Sequence, residues 1–253
     1  MSSPRHILLL TATVTPRSDQ PELVLTDPEA RLKDYERALS FYRRLLMNGT
    51  VNGIVFAENS GFDVGRLERS FGSDGIEYLG GFDLDYPSTY HRGYGEFRLI
   101  DRAVATSDLL RGMRPDDKVW KVTGRYILKN MSRFIAAAPA KFDLYCDVTG
   151  DWAEMGVMAW SERGHACVIR DLWQDLATGK VPELILAEKL RNASFDDCCI
   201  ANSFYWPPFL EGRRAANGVN FQGRLGPLRF GSAVLRKSLA YPLRRVADAL
   251  AAR

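Results

Sequence analysis

The 253-residue chain has no apolar run approaching the roughly 18 residues of a membrane-spanning helix. Its first apolar run, Ile7-Leu8-Leu9-Leu10, is short and weakly charged at its front, so it reads as a first buried strand rather than a signal peptide. Histidine is scarce: His6, His91 and His165 are too few for a histidine-rich metal site. The four cysteines, Cys146, Cys167, Cys198 and Cys199, contain no C-x-x-C pair, which excludes a zinc pattern and a disulfide framework. They read as reduced thiols of a cytoplasmic protein. Net charge is only +3, which gives no case for a nucleic-acid partner. A hydrolase nucleophile elbow, a P-loop and a zinc-protease motif are all missing.

What is present is an ordinary globular composition, 46% hydrophobic and 26% charged, on a length suited to one large domain. His6 to Val14 reads as a strand. Asp27-Pro28 opens a helix, Asp capping the free amides and Pro fitting the first turn. Leu32, Tyr35, Leu39, Tyr42 and Leu46 then share one helical face, and Gly49 supplies a stop. Further strands are expected at Gly53 to Ala57, Ile76 to Leu79 and Val119 to Tyr126, with helices at Phe62 to Phe71 and Gly95 to Leu110. This alternation predicts an α/β fold with a mostly parallel sheet covered by helices on both faces. The second half is less regular. Phe142 to Val148 and Val157 to Trp160 read as strands, Val168 to Leu176 and Pro182 to Ala193 as helices, and Phe204 to Phe209 as an aromatic turn.

Two cationic motifs stand out. Arg92-Gly93-Tyr94-Gly95-Glu96 opens a helix, and its glycines let backbone approach a ligand while leaving amides free. It lacks the third glycine of a dinucleotide fingerprint, and a turn with a solvent-facing Arg is the plainer reading. Lys121-Val122-Thr123-Gly124-Arg125-Tyr126 ends a buried strand. Trp120 and Val122 face the core there, so Lys121 and Thr123 point the other way. A lysine so placed needs a partner, either an anionic ligand or a neighbouring carboxylate. Glu58-Asn59-Ser60-Gly61 ends another strand and is either a ribose- or base-binding turn or an ordinary one. Asp83-Leu84-Asp85 has the D-x-D form of a divalent-cation grip, or is a solvated acidic loop. Glu154, Glu183 and Glu188 are candidate general bases.

Together these segments resemble a group of bacterial glycosyltransferase-like proteins from polysaccharide gene clusters. The resemblance spans roughly residues 6 to 212. It is carried by the Ile7-to-Thr13 strand, Glu58 to Gly61, Arg92 to Glu96, Lys121 to Tyr126 with Asn130, Trp152-Ala153-Glu154, the Glu188 helix and the Pro208-to-Gly212 turn. It implies a GT-A-like, Rossmann-like domain over residues 1–223, with a nucleotide-sugar-binding half (1–130) and an acceptor half (131–223). It implies a hexosyltransferase-like enzyme moving a sugar from a nucleotide-sugar donor to a glycan or lipid-linked acceptor in surface polysaccharide synthesis. Donor-binding residues would be Thr11, Thr13, Glu58, Asn59, Ser60, Arg92, Gly93, Gly95, Lys121, Thr123, Gly124 and Arg125. Glu188 is the first choice of base, with Glu183 and Glu154 behind it.

Where that fold places D-x-D at a strand end, this chain has Thr123-Gly124-Arg125. The expectation is therefore that Lys121 and Arg125, with Arg92, neutralise the donor diphosphate in place of a metal, so that no metal cofactor is required, with Mg²⁺ or Mn²⁺ at Asp83 and Asp85 as the alternative. Residues 224–253 form a basic amphipathic tail that fits either an anionic membrane surface or packing on the domain. The location expected is cytoplasmic, peripheral on the inner membrane face if the tail anchors. A nucleotidyltransferase-like enzyme and a non-catalytic glycan-binding homologue are the competing readings.

Overall fold

A computed structural model describes residues 3–21, 23–192, 197–214 and 218. In chain order the elements are β1 (His6–Ala12), α1 (Pro28–Met47), β2 (Gly53–Glu58), α2 (Gly65–Phe71), β3 (Ile76–Leu79), α3 (Arg92–Thr106), α4 (Asp108–Arg111), β4 (Lys118–Thr123) and β5 (Ile127–Leu128). There follow α5 (Met131–Ala136), β6 (Leu144–Tyr145), β7 (Val148–Thr149), β8 (Trp152–Ala153), β9 (Val157–Trp160), α6 (Glu162–Gly164), α7 (Leu172–Asp175), α8 (Pro182–Asn192), β10 (Ile200–Ala201) and β11 (Leu210–Glu211).

The main sheet has the order β3-β2-β1-β4-β9-β6-β10. β1 is parallel to both β2 and β4, β2 is parallel to β3, and β6 is parallel to β10. Only β9 runs against its neighbours, β4 and β6. β1 is apolar on both faces, as an interior parallel strand must be. Leu8 and Leu10 join Leu32, Tyr35, Leu39 and Tyr42 of α1 in one core. Ile7 and Leu9 join Phe97, Ile100 and Ala103 of α3 in the other. α1 begins as its sequence requires: the Asp27 carboxylate accepts from the amides of Glu29 and Ala30, and Pro28 occupies the first turn.

Several boundaries differ from expectation. The strand read as Val119 to Tyr126 ends at Thr123: the Gly124 amide makes the last bond of the β1–β4 ladder, to the Thr11 carbonyl at 2.8 Å, and the chain then turns, the Tyr126 amide bonding the Thr123 carbonyl at 2.7 Å. Ile127–Leu128 then pair with β11 instead. The helix read from Gly95 starts at Arg92, capped by His91 Nδ1, and breaks at Ser107, whose hydroxyl caps α4. The helix read over Val168 to Leu176 is a π-helical turn (His165–Ile169) and then α7, separated by Asp171 in the left-handed region at φ 60°. α2 starts at Gly65 rather than Phe62, and only Leu144 and Tyr145 of the Phe142-to-Val148 run join the sheet. The basic tail lies outside the described residues. Among those described, no helix is long and apolar enough to cross a membrane.

Candidate active site

The chain leaves β1 toward β2 on one side, and later crosses through α3 to place β4 on β1's other side. In such a sheet the connections diverge between these two strands. Their carboxyl ends therefore flank an open crevice, the usual place for a ligand in an α/β fold. Thr11 and Thr123 face each other there in register. Gly124 closes the corner. A Cβ on it would stand 2.8 Å from the Thr11 carbonyl oxygen, so a side chain would force the two strand ends apart.

Strand alternation puts Lys121 on the α3 side of the sheet, opposite Trp120 and Val122. Its ammonium is buried, with 1% of the side chain exposed, and pairs with Glu96 Oε1 of α3 at 2.7 Å. It also donates to the Met155 carbonyl at 2.7 Å and, more weakly, to Thr123 Oγ1 at 3.4 Å. Glu96 Oε1 accepts in addition from Thr11 Oγ1 at 2.8 Å. Burial alone would push the Glu96 carboxyl up. The Lys121 charge and hydrogen bond, the Thr11 hydroxyl and the Arg125 charge outweigh it and hold Glu96 below the usual carboxylate range. Of the two partners for Lys121 that the sequence left open, the structure supplies the carboxylate. Glu96 lies within the Arg92-to-Glu96 motif but was not among the expected site residues. The signal for it was the buried lysine's need of an acid on the helix covering that face.

Ten of the twelve expected donor-binding residues fall into three groups; Arg125 and Arg92 stand apart. Thr13, Glu58, Asn59 and Ser60 stitch two loops together. Buried Glu58 accepts from the amides of Val14, Ser60 and Phe62, and from the Ser60 hydroxyl. Thr13 Oγ1 donates to Asn59 Oδ1, Asn59 Nδ2 donates to the Gly95 carbonyl, and Ser60 Oγ accepts from the Thr15 amide. Thr11, Lys121, Thr123 and Gly124 form the crevice floor with Glu96. Gly93 and Gly95 let α3 pack closely: a Cβ at Gly93 would meet Pro182 Cγ of α8 at 2.5 Å, and one at Gly95 would collide with the Tyr86 hydroxyl. Arg125 is buried, donates to the Arg213 carbonyl at 2.6 Å and lies over the Tyr126 ring at 4.9 Å.

Three acids and one cation meet around the crevice. Glu183, in the first turn of α8, has a buried Oε2 with no hydrogen-bond partner. Burial pushes its carboxyl above the usual range; Arg92 opposes this, while Glu96 and Glu154 add to it. Arg92 is half-buried and makes no hydrogen bond or ion pair to another described residue. Glu154 is half-buried and accepts from the Gly156 amide at 2.7 Å. Glu188 is exposed on the same helix as Glu183. Five residues on, at about 100° per residue, it points some 140° away. It is not brought to this group.

Asp83 and Asp85 are both exposed, and the Asp85 carboxylate is held by Arg98 and Arg102. Among the described residues no group of three or more His, Cys, Asp or Glu is placed to hold a metal ion. The Asp83–Asp85 donor set does not fit a divalent cation, since one carboxylate is already neutralised by two guanidinium groups.

No known family model matches the chain, and no curated protein matches it in sequence. Among solved structures it is similar to a protein from Desulfovibrio desulfuricans G20, provisionally described as a nucleotide-diphospho-sugar transferase. The identity is 13% over 98% of this chain and 97% of that one, with a TM-score of 0.50. Weaker likenesses include the inositol-1-phosphate CTP transferase from T. maritima, at 9% identity over 80% of this chain and 86% of that one, with a TM-score of 0.45. Another is 4-diphosphocytidyl-2C-methyl-D-erythritol synthase from Anaerococcus prevotii, at 12% over 87% and 94%, with a TM-score of 0.40. The chain thus has an α/β fold of the nucleotide-diphospho-sugar transferase type, with a mostly parallel central sheet covered by helices.

Proposed function

We propose that this chain is a glycosyltransferase that moves a sugar from a nucleotide-sugar donor to a hydroxyl of a glycan or lipid-linked acceptor. The donor would lie at the carboxyl ends of β1 and β4, in residues 1–130, and the acceptor against residues 131–223. The observation that carries the reading is the Glu183 carboxylate. It is half-buried, with Oε2 buried and without a hydrogen-bond partner, raised in pKa, and close enough to Arg92, which pairs with no other described residue, to feel its charge. A carboxylate with raised basicity is suited to take a proton from an acceptor hydroxyl. As that proton leaves, the acceptor oxygen bonds the anomeric carbon, the sugar–phosphate bond breaks, and the nucleoside diphosphate departs with the electron pair. Arg92, whose donors are not taken by another described residue, is the cation that acts on Glu183 and would offset the charge on the departing phosphate. Lys121 acts differently: its ammonium is already committed to Glu96, so it holds the crevice floor rather than the ligand. On this reading the base is Glu183 rather than Glu188.

The test is turnover of Glu183→Gln and Glu188→Gln, with donor binding measured on each. Loss of about 100- to 10,000-fold in Glu183→Gln with donor binding kept, and near-normal Glu188→Gln, is expected. Normal turnover in Glu183→Gln would remove the assignment. Release of pyrophosphate instead of nucleoside diphosphate would replace glycosyl transfer by nucleotidyl transfer.

A further inference from the structure

A second pocket, of about 250 Å³, opens at the opposite end of the sheet from the crevice. Its floor is the cross-strand pair Val119 and Trp160, and Val104, Leu110 and Met113 form apolar walls. Val119 precedes Thr123 by four residues, so the pocket lies about 13 Å along β4 from the crevice. Trp160 is 1% exposed, yet its indole N–H has no hydrogen-bond partner. A buried donor left unpaired costs on the order of 1–3 kcal/mol, so such groups call for an explanation. At the rim stand Arg111, Glu162 and Arg170. Arg111 is engaged by Asp108, whereas Arg170 is exposed and makes no ion pair with a described residue.

The backbone beside the pocket is unusual. His165, which also lines it, begins the π-helical turn, and Asp171 holds the one positive φ among described non-glycine residues. Both are secured by Asp101 of α3, whose carboxylate bonds His165 Nε2 at 2.9 Å, the Asp171 amide at 2.8 Å and Trp173 Nε1 at 3.0 Å. π-turns and strained backbone of this kind concentrate at binding sites.

We infer that this pocket is a second ligand site, for a small organic anion with a flat apolar body, such as an aromatic carboxylate. The ring would lie on Val119 and Trp160 between Val104 and Met113, one acceptor oxygen would take the Trp160 indole N–H, and the negative charge would face Arg170. The volume suits one ring with a short polar arm, since benzene occupies an engineered cavity of about 150 Å³. This site is separate from the crevice and does not depend on what the crevice does.

The test is a titration of the full chain with sodium benzoate, phenylacetate and cyclohexanecarboxylate, following the five indole N–H resonances by ¹⁵N–¹H NMR. Benzyl alcohol is the uncharged control. The Trp160 resonance is assigned by its loss in Trp160→Phe or, if that variant does not fold, through its backbone amide. A saturable shift of this resonance is expected with at least one carboxylate. The affinity should fall about tenfold in Arg170→Ala and be much weaker for benzyl alcohol. No shift of the Trp160 resonance with any of the three anions would overturn the proposal, as would an unchanged affinity in Arg170→Ala.

Discussion

Two carboxylates at the crevice are shifted in opposite directions, Glu96 down and Glu183 up, and the consequences separate cleanly. Glu96 is depressed, so its folded form holds a proton less readily than the unfolded chain does. Its contribution is present above the usual glutamate range and is lost as pH falls through the depressed value. The pair is asymmetric: Lys121 is 1% exposed and Glu96 25%. Glu96→Gln strands a buried ammonium and is expected to cost about 3–5 kcal/mol. Lys121→Met leaves a carboxylate that still reaches water and Thr11, and should cost less, about 1–3 kcal/mol. Urea denaturation of both singles and the double variant checks this. The double should be more stable than Glu96→Gln alone, and simple additivity would show that the two are not coupled. Glu183 is the reverse case. Its raised value means that the ionised form is held at a cost in the folded state alone. The cost is present at neutral pH and disappears as pH falls below the ordinary carboxyl value. Glu183→Gln is therefore expected to raise the melting temperature at about pH 7.5 while lowering turnover, and to leave it unchanged at about pH 4. A destabilised variant at neutral pH would mean that the carboxylate is a structural group.

At the scale of elements, the crevice depends on how tightly the start of α3 sits against its neighbours. Gly93 faces the Pro182 ring of α8, with no room for a methyl group between them. Gly93→Ala should cost about 1–3 kcal/mol, as overpacking does. Pro182→Ala removes the colliding ring atoms, so the double variant should recover part of the loss in a melting series. Failure to recover would show that the two helix starts do not press on each other. The same residues explain what was readable beforehand. α1 was legible because Asp27-Pro28 is a strong start and Leu32, Tyr35, Leu39 and Tyr42 repeat at helical spacing. The start of α3 was legible only to within three residues: the motif was read as opening a helix, but the boundary fell at Gly95, since the cap is the imidazole of His91 and the first turn holds two glycines, which local preference assigns to a turn. Val168, Leu172 and Leu176 are all fully buried at a spacing of four, yet the backbone between them breaks. The spacing records which side chains share a core, not the hydrogen bonds that Asp101 draws away from the helix.

For the molecule as a whole, the alternation of strands and helices was enough to foresee a parallel sheet, and strand alternation put Lys121 on the face it occupies. The antiparallel β9 was hidden, because its four residues, Val157–Trp160, are apolar on both faces and look the same in either direction. That strand matters, since the loop leading into it brings the Met155 carbonyl to Lys121 and Glu154 toward Glu183. If the crevice binds a nucleotide-sugar, the ligand must stabilise the fold that builds it. At a donor concentration about 100-fold above its dissociation constant the gain is about 2.7 kcal/mol. For a chain of this size that corresponds to a rise of roughly 5–10 °C in melting temperature. A panel of UDP-, GDP-, CMP- and dTDP-sugars, each with and without EDTA, is expected to give one such rise that survives EDTA and falls by at least half in Arg92→Gln. A rise abolished by EDTA would return the cation to the donor site and Asp83 with it. No rise with any donor, in a protein whose benzoate response is intact, would leave the distal pocket standing and remove the glycosyltransferase reading.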